Sequence, residues 1–287
     1  MLAQRTDLNA YRLFHGDAEG SPGLAIDRYA DMAVVHASSH ALVDHSLRGA
    51  LAEVETAYAT IHTKGAPASP AELLWGPPKD EVDALENDVL YLVRPAGGLF
   101  LDMREVRGWL RQHTSGRTVL NLFAYTCSFG VVAALGGAQR VVNLDLSKPY
   151  LEWGKANYRL NSLEVDNRDF IFGDALDWLD RFNRRASQFD IVIVDPPSFS
   201  STPFSVTRDY PRLVEAAARV VAPAGILLAA TNHAGTSHER FETWLRAGLN
   251  AADRHGRLVQ RWHEPAADFP VAVGRRPYLK VRALVLD

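Results

Sequence analysis

Apolar and polar positions follow two different rhythms along this chain, and the rhythm changes near residue 100. Before it, "GLAIDRYADMAVVHA" and "DVLYLVRP" are short runs with strand-like alternation, which sets one face of a sheet against a core. Between them, "SHALVDHSLRGALAEVETAY" has apolar residues three and four apart, and this spacing predicts a helix. Together they predict a small α+β domain over residues 1–95. Gly23 after Pro22 marks a turn, and the Pro- and Gly-rich "TKGAPASPAELLWGPPKDE" reads as a surface loop.

From about Gly116 an apolar run, a turn and a helical stretch repeat in order. The runs are "TVLNLFAY", "RVVNLDL", "RDFIFGD", "FDIVIVDPP" and "GILLAATNH". Helices are predicted in "SFGVVAALGGA", "SKPYLEWGKANYRLNSL", "ALDWLDRFNRRAS" and "DYPRLVEAAARVVAPAG". The chain closes with a helical "HERFETWLRAGLNAADRHG" and two apolar strands, "RLVQRWHEP" and "YLKVRALVLD". This alternation predicts an α/β domain over residues 96–287, with a largely parallel sheet between helices.

With 287 residues, 47% of them hydrophobic, the chain can bury a sizeable core, and its formal charge of -3 gives no global basic footprint. Any nucleic-acid role therefore rests on a local patch. One cysteine makes no internal disulfide and suits a reducing compartment, so a cytoplasmic location is expected. The opening "MLAQRTDLNAYRLFHGD" lacks a secretory pattern, and no apolar run is long enough to span a membrane.

In an open α/β sheet, ligands bind beyond the carboxyl ends of the strands. Asp145, Asp174 and Asp195 stand at such ends, and the turn "AYTCSFG" closes the first strand. Asp145 follows Tyr125 by 20 residues, the spacing of an acid that accepts hydrogen bonds from ribose hydroxyls. A nicotinamide dinucleotide would need a glycine-rich turn for its pyrophosphate, and here the turn carries side chains. An NAD-dependent oxidoreductase is thereby the weaker alternative. S-adenosylmethionine has no phosphate, and Asp145, the Thr126/Ser128 turn and Asp174 offer the groups it needs. Asp174 before "ALDWL" also fits an ordinary helix N-cap.

In "DPPSF", Asp195, Pro196 and Pro197 stop the strand and fix a rigid ledge of carbonyls, over which Phe199 can stack on a planar substrate. A bare proline-rich strand exit is the plainer reading of the same residues.

"GLFLDMREVR", "VLNLFAYTCSFG", "ALGGAQRVVNLDLSKPYLEWGKANYRLN", "GDALDWL" and "VDPPSFS", across about residues 95 to 235, resemble the class I S-adenosylmethionine-dependent methyltransferases. Within them they are similar to the large-subunit ribosomal RNA methyltransferases acting on cytosine C5 or guanine N7. The resemblance implies a Rossmann-like sheet, mostly parallel with an antiparallel strand at the end, behind a small α+β domain. It leaves no room in this chain for the PUA module often found at the N-terminus of that family. It implies that Phe100, Asp102 and Arg104 lie over the cofactor, Arg104 pairing with its carboxylate. Tyr125, Thr126, Ser128 and Gly130 would form the turn at the methionine end. Asp145 would hold the ribose, Leu146 pack on the adenine, and Asp174 with Ala175 meet the adenine edge.

Methylating a pyrimidine at C5 requires prior attack at C6, for which cysteine thiolate is the usual nucleophile. In the cytosine-C5 members it follows the fifth strand, where this chain has Thr231, Asn232 and His233. Cys127 precedes the first helix of the α/β domain instead and is expected to keep to the cofactor's amino-acid end. "ATNHAG" and "YLEW" look more like the guanine-N7 branch, in which a ring lone pair takes the methyl directly. Asn232 is then the candidate to bond the base edge, while His233 contacts phosphate or caps a turn.

No metal is expected from the scattered histidines. If RNA binds, Arg275, Arg276 and Lys280 are its candidate phosphate contacts, although Lys280 also fits the last strand. A non-catalytic RNA-binding module, or a methyltransferase acting on a protein or small molecule, would also be compatible with these residues.

Overall fold

The structure, a computed structural model, describes residues 5–43, 46–63, 69–198 and 205–287. The chain forms two compact units, one of residues 1–104 and 265–276, the other of 105–264 and 277–287. The boundary read near residue 95 thus falls at Arg104, and twelve later residues belong with the first unit.

The first unit contains β1 (Ala10–His15), α1 (Gly16–Glu19), β2 (Leu24–Tyr29), β3 (Met32–Ala37), α2 (Ser46–Ala50), β4 (Thr56–Ile61), β5 (Glu72–Trp75), β6 (Val82–Glu86) and β7 (Val89–Val93). A five-stranded sheet runs β1-β2-β3-β4-β5, with β3 and β4 parallel and the other pairs antiparallel. Alternation sends Leu24, Ile26, Ala33, Val35, Ala37, Ala57, Ala59 and Ile61 to one core with Leu47, Leu51 and Val54. The intervening Asp27, His36 and Thr60 form a polar row, in which Asp27 takes both a fork from Arg12 (2.8 and 3.0 Å) and a contact from His36 (3.2 Å). β6 and β7 form a hairpin whose two turn residues, Asn87 and Asp88, both have positive φ (51° and 61°), as a type I′ turn requires.

The helix expected over "SHALVDHSLRGALAEVETAY" is corrected. Its described residues form a 3₁₀ turn, His40–Leu42, then the short α2 and the start of β4. β-branched and aromatic side chains in "TAYATI" pair with β3 from Met32↔Thr56 onward, and this tertiary pairing overrides the helical spacing. The expected loop "TKGAPASPAELLWGPPKDE" includes β5, at the edge of the sheet.

Next come α3 (Arg104–His113), β8 (Thr118–Leu122), α4 (Ser128–Leu135), β9 (Arg140–Asp145), α5 (Lys148–Leu160), β10 (Phe170–Phe172) and α6 (Ala175–Arg184). They are followed by β11 (Phe189–Val194), α7 (Val206–Ala218), β12 (Val221–Thr231), α8 (His238–Ala251), β13 (Gly256–Trp262) and β14 (Lys280–Leu286). The seven-stranded sheet of the second unit runs β10-β9-β8-β11-β12-β14-β13. β14, last in the chain, is antiparallel to both neighbours and sits between β12 and β13. The other pairs are parallel, and their strands are almost wholly apolar because helices lie against the sheet. Strand order reverses between β8 and β11, which makes the carboxyl end of β8 the switch point.

α7 starts at Val206, ahead of the expected "DYP", and Val221 to Gly225 belong to β12 instead of the helix. β8 ends at Leu122, so "FAY" leaves the expected strand and enters the turn beyond it.

Candidate functional site

At the switch point the β8–α4 turn is built from non-glycine residues in the left-handed region. Phe123, Tyr125 and Cys127 have φ of 56°, 51° and 60°. Each costs about 1 kcal/mol relative to ordinary backbone, so the surrounding bonds must hold the turn. Ala124 N–H donates to Leu144 O (3.0 Å), Cys127 N–H to Ala124 O (2.7 Å) and Tyr125 N–H to Asp145 Oδ2 (2.8 Å). Thr126 is buried, and its carbonyl accepts from Asn157 Nδ2 (2.8 Å).

Asp145, at the end of β9, is the hub. Oδ1 accepts from Ser147 N–H (2.8 Å), and Oδ2 accepts from Tyr125 N–H. Burial pushes its pKa up, while hydrogen bonds from Tyr125, Ser147 and Leu146 main chain act the other way. A carboxylate offers about four acceptor positions, so two main-chain bonds leave capacity for a ligand's hydroxyls. Beside it Leu146 is 46% exposed and Phe172 50%, and large apolar side chains left open at a strand-end crevice suit a flat aromatic ligand. Phe172 pairs in register with Asp145, and Lys148 Nζ lies 4.9 Å from its ring centroid. Sequence reasoning missed Phe172; the signal was an aromatic residue ending the short strand before Gly173–Asp174.

The remaining cofactor residues sort into open and buried places. Ser128 begins α4, and Tyr125 packs edge-on to Tyr150 at 4.6 Å. Gly130 is buried in α4, where a Cβ would strike the Asn143 amide and the Tyr158 hydroxyl; its place is that of a packing glycine. Asp174 is the N-cap of α6, Oδ1 accepting from Leu176 N–H (2.9 Å) and Asp177 N–H (3.2 Å), and Ala175 behind it is buried. Cys127 is fully buried against Gly154 of α5, and burial together with the charge of Asp145 holds its thiol pKa well above the usual range.

On the other side of the switch point, Asp195 and Pro196 leave β11 half-buried and buried, and Pro197 is exposed. Phe199 lies outside the described residues. Ser198 Oγ–H donates to Asn232 Oδ1, joining the ends of neighbouring strands β11 and β12; Ser198 was not singled out in the sequence. Asn232 is exposed. The turn after it is tied by His233 N–H to Thr231 Oγ1 (3.3 Å) and by His233 Nδ1 with Thr236 Oγ1 (2.7 Å). Lys280 is corrected as a phosphate contact. It opens β14, is 1% exposed, and donates to His233 O (3.0 Å) and Tyr278 O (2.5 Å). Burial lowers its pKa to about 8, Glu264 opposing the shift and Arg282 adding to it.

Phe100, Asp102 and Arg104 fall in the first unit, as do Arg275 and Arg276. Phe100 is exposed and Asp102 buried. Arg104 is buried with both terminal nitrogens on Asp268 (2.8 and 2.6 Å), so the fork expected for a cofactor carboxylate has a partner within the protein. Arg275 and Arg276 are exposed, at and just after a turn closed by Arg275 N–H to Ala272 O (2.9 Å). Among the described residues, no helix is long and apolar enough to cross a membrane and no group of three His, Cys, Asp or Glu is placed to hold a metal.

A seven-stranded sheet with one reversed strand, a switch-point turn and an aspartate at the end of the next strand that accepts from that turn define a Rossmann-like class I methyltransferase. The chain belongs to the S-adenosylmethionine-dependent methyltransferase family, whose sequence profile matches residues 34–271, and S-adenosylmethionine is its cofactor. It is 29% identical to ribosomal RNA large subunit methyltransferase I of Aeromonas salmonicida, over 99% of this chain and 76% of that protein. The protein of that name from Tolumonas auensis is 31% identical, over 95% and 73%. A crystal structure of a candidate methyltransferase complexed with SAH, the demethylated cofactor, superposes with a TM-score of 0.90 at 28% identity, covering 99% of this chain and 77% of that one.

Proposed function

We propose that this enzyme methylates N7 of a guanine in large-subunit ribosomal RNA, by direct transfer and without a covalent enzyme–base intermediate. The observation that carries the reading is the exit of β12, where Thr231, Asn232 and His233 stand and where a C5 mechanism would need a thiol. The chain's one cysteine, Cys127, is buried under α5 with its pKa raised, so it is a poor nucleophile. The relatives named for large-subunit ribosomal RNA supply the substrate class. A cytoplasmic location is part of this reading.

The cofactor supplies an electrophilic methyl on a positively charged sulfur. Asp145 would hold the ribose hydroxyls with the acceptor capacity left by Tyr125 and Ser147, and Leu146 and Phe172 would flank the adenine. The fixed turn from Tyr125 to Ser128 would take the amino-acid end. Asp174 spends one oxygen on its cap, which leaves Oδ2 for the adenine edge. Asp195, Pro196 and Pro197 form the ledge for the target base, and Asn232 donates to its edge. Guanine N7 has an in-plane lone pair, so the methylated base carries the positive charge itself and no proton has to leave. Alignment and exclusion of wrong geometries therefore suffice, and no general base is required. Arg275 and Arg276 are the phosphate contacts of the first unit.

The test is transfer of labelled methyl to ribosomal RNA lacking its natural modifications, followed by nucleoside mass spectrometry. The expected product is 7-methylguanosine; 5-methylcytidine would overturn the reading.

A further inference from the structure

The Ser198–Asn232 hydrogen bond has a chemical consequence for what the enzyme accepts. A side-chain amide carries an acceptor edge and a donor edge, and free rotation of its end lets it show either. Here the acceptor, Oδ1, receives the Ser198 hydroxyl proton, so the group left for a ligand is the Nδ2 amine. The backbone that carries it is held on both sides. Thr231, just before Asn232, pairs in register with Lys280 across β12 and β14. His233, just after it, gives its carbonyl to the buried Lys280 ammonium at 3.0 Å. Asn232 nevertheless remains exposed, so its donor edge is both fixed and open.

We propose that Ser198 is a positioning residue that fixes Asn232 as a donor, so that the enzyme selects a base presenting a lone pair, a carbonyl oxygen or ring nitrogen, beside the methylated atom. This rests on the base-methylating function proposed above and deepens it. Guanine shows O6 and N7 as acceptors on that edge, whereas adenine and cytosine place an amino group there, which meets the Asn232 amine donor to donor.

Two measurements test this. The first needs no substrate: the protein is labelled with ¹⁵N at asparagine side chains, and the Asn232 amide pair is assigned by its loss in Asn232→Ala. The parent should show a pair displaced from the shifts of a free asparagine side chain and a raised heteronuclear NOE, because the group is held; Ser198→Ala should show a mobile pair at free-amide shifts, and Ser198→Thr the parent signature. The second is kinetic, on ribosomal RNA lacking its modifications. Ser198→Ala should lower kcat about tenfold, the scale of one hydrogen bond, with SAH affinity unchanged and Ser198→Thr restoring most of the rate. Ser198→Ala/Asn232→Ala should be no slower than Asn232→Ala alone, because one residue acts through the other. An unchanged amide signature in Ser198→Ala, or losses that add in the double variant, overturns the proposal. If the parent transfers no methyl to a guanine, the substrate reading fails while the amide signature still decides the role of Ser198.

Discussion

Around Asp145 the contacts are made by main chain: Tyr125 and Ser147 N–H on its carboxylate, Gly173 N–H on its carbonyl at 3.0 Å, and backbone bonds that hold a turn of three left-handed residues. Beyond β11 and β12 the contacts that matter run between side chains, Ser198 to Asn232 and His233 to Thr236, with Lys280 reaching back to a carbonyl. Main-chain geometry is dictated by the fold and survives most substitutions. Side-chain geometry can be rewritten one residue at a time without disturbing the sheet. A cofactor that is constant across a family suits the first kind of construction, and an acceptor that differs among its members suits the second.

The main-chain end is most exposed to a single change at Asp145. Asp145→Ala removes the acceptor of two main-chain donors, releases the strained turn and takes away the proposed ribose ligand at once. Loss of charge-assisted bonds on this scale is expected to weaken SAH binding about 100-fold or more, measured by titration calorimetry. A change of only a few fold would mean that the turn holds its shape without the hub.

Gly154→Ala acts on the same end from beneath. An added Cβ would overlap Cys127 Sγ and Cβ, and overpacking of this kind costs about 1–3 kcal/mol in denaturant unfolding. The double variant Gly154→Ala/Cys127→Ala should recover much of the loss, because it removes the colliding sulfur. If it recovers none, the strain lies in the helix backbone and not in the packing.

This end was also the more legible in the sequence. The 20-residue step from Tyr125 to Asp145 and the strand ends were readable because fold topology fixes them. The left-handed turn was not, since Phe, Tyr and Cys carry no propensity for positive φ and adopt it only under tertiary constraint. The buried pairing of Arg104 was not legible for a similar reason: its partner Asp268 is 164 residues away, beyond any local pattern. The helix expected through "AEVETAY" gave way to β4 because pairing with β3 is likewise non-local. At the acceptor end the residue types of Asn232 and Asp195 were readable, but Ser198 became significant only through an oxygen just beyond the neighbouring strand.

At the acceptor end, Lys280 gives a smaller effect that depends on pH. Its folded pKa of about 8 lies below the ordinary lysine value of 10.5, so over that interval the unfolded chain binds more protons than the folded one. Stability should therefore rise with pH through this window, the cost of burying the charge being fully present below it. Between about pH 7 and pH 9.5 the gain relative to Lys280→Met is on the order of 1 kcal/mol, read from paired denaturation curves. Methyl transfer should not collapse over the same range through this group. A neutral amine still has two N–H donors, enough for the carbonyls of His233 and Tyr278.

The smallest effect belongs to the lone cysteine. Cys127 Sγ is 3.8 Å from Tyr125 O, and a serine hydroxyl in its place can donate to that carbonyl, offsetting most of the cost of burying it. Cys127→Ser should therefore change stability by about 1 kcal/mol or less and leave methyl transfer near the parent rate. A thiol whose pKa is raised by burial and by Asp145 has little thiolate, so iodoacetamide should label the native protein slowly and the unfolded chain quickly. Rapid labelling of the native protein, or an RNA adduct trapped in the parent and absent from Cys127→Ser, would place a reactive thiol in the crevice. The division between a main-chain cofactor end and a side-chain acceptor end would then fail at the residue that joins the turn to α5.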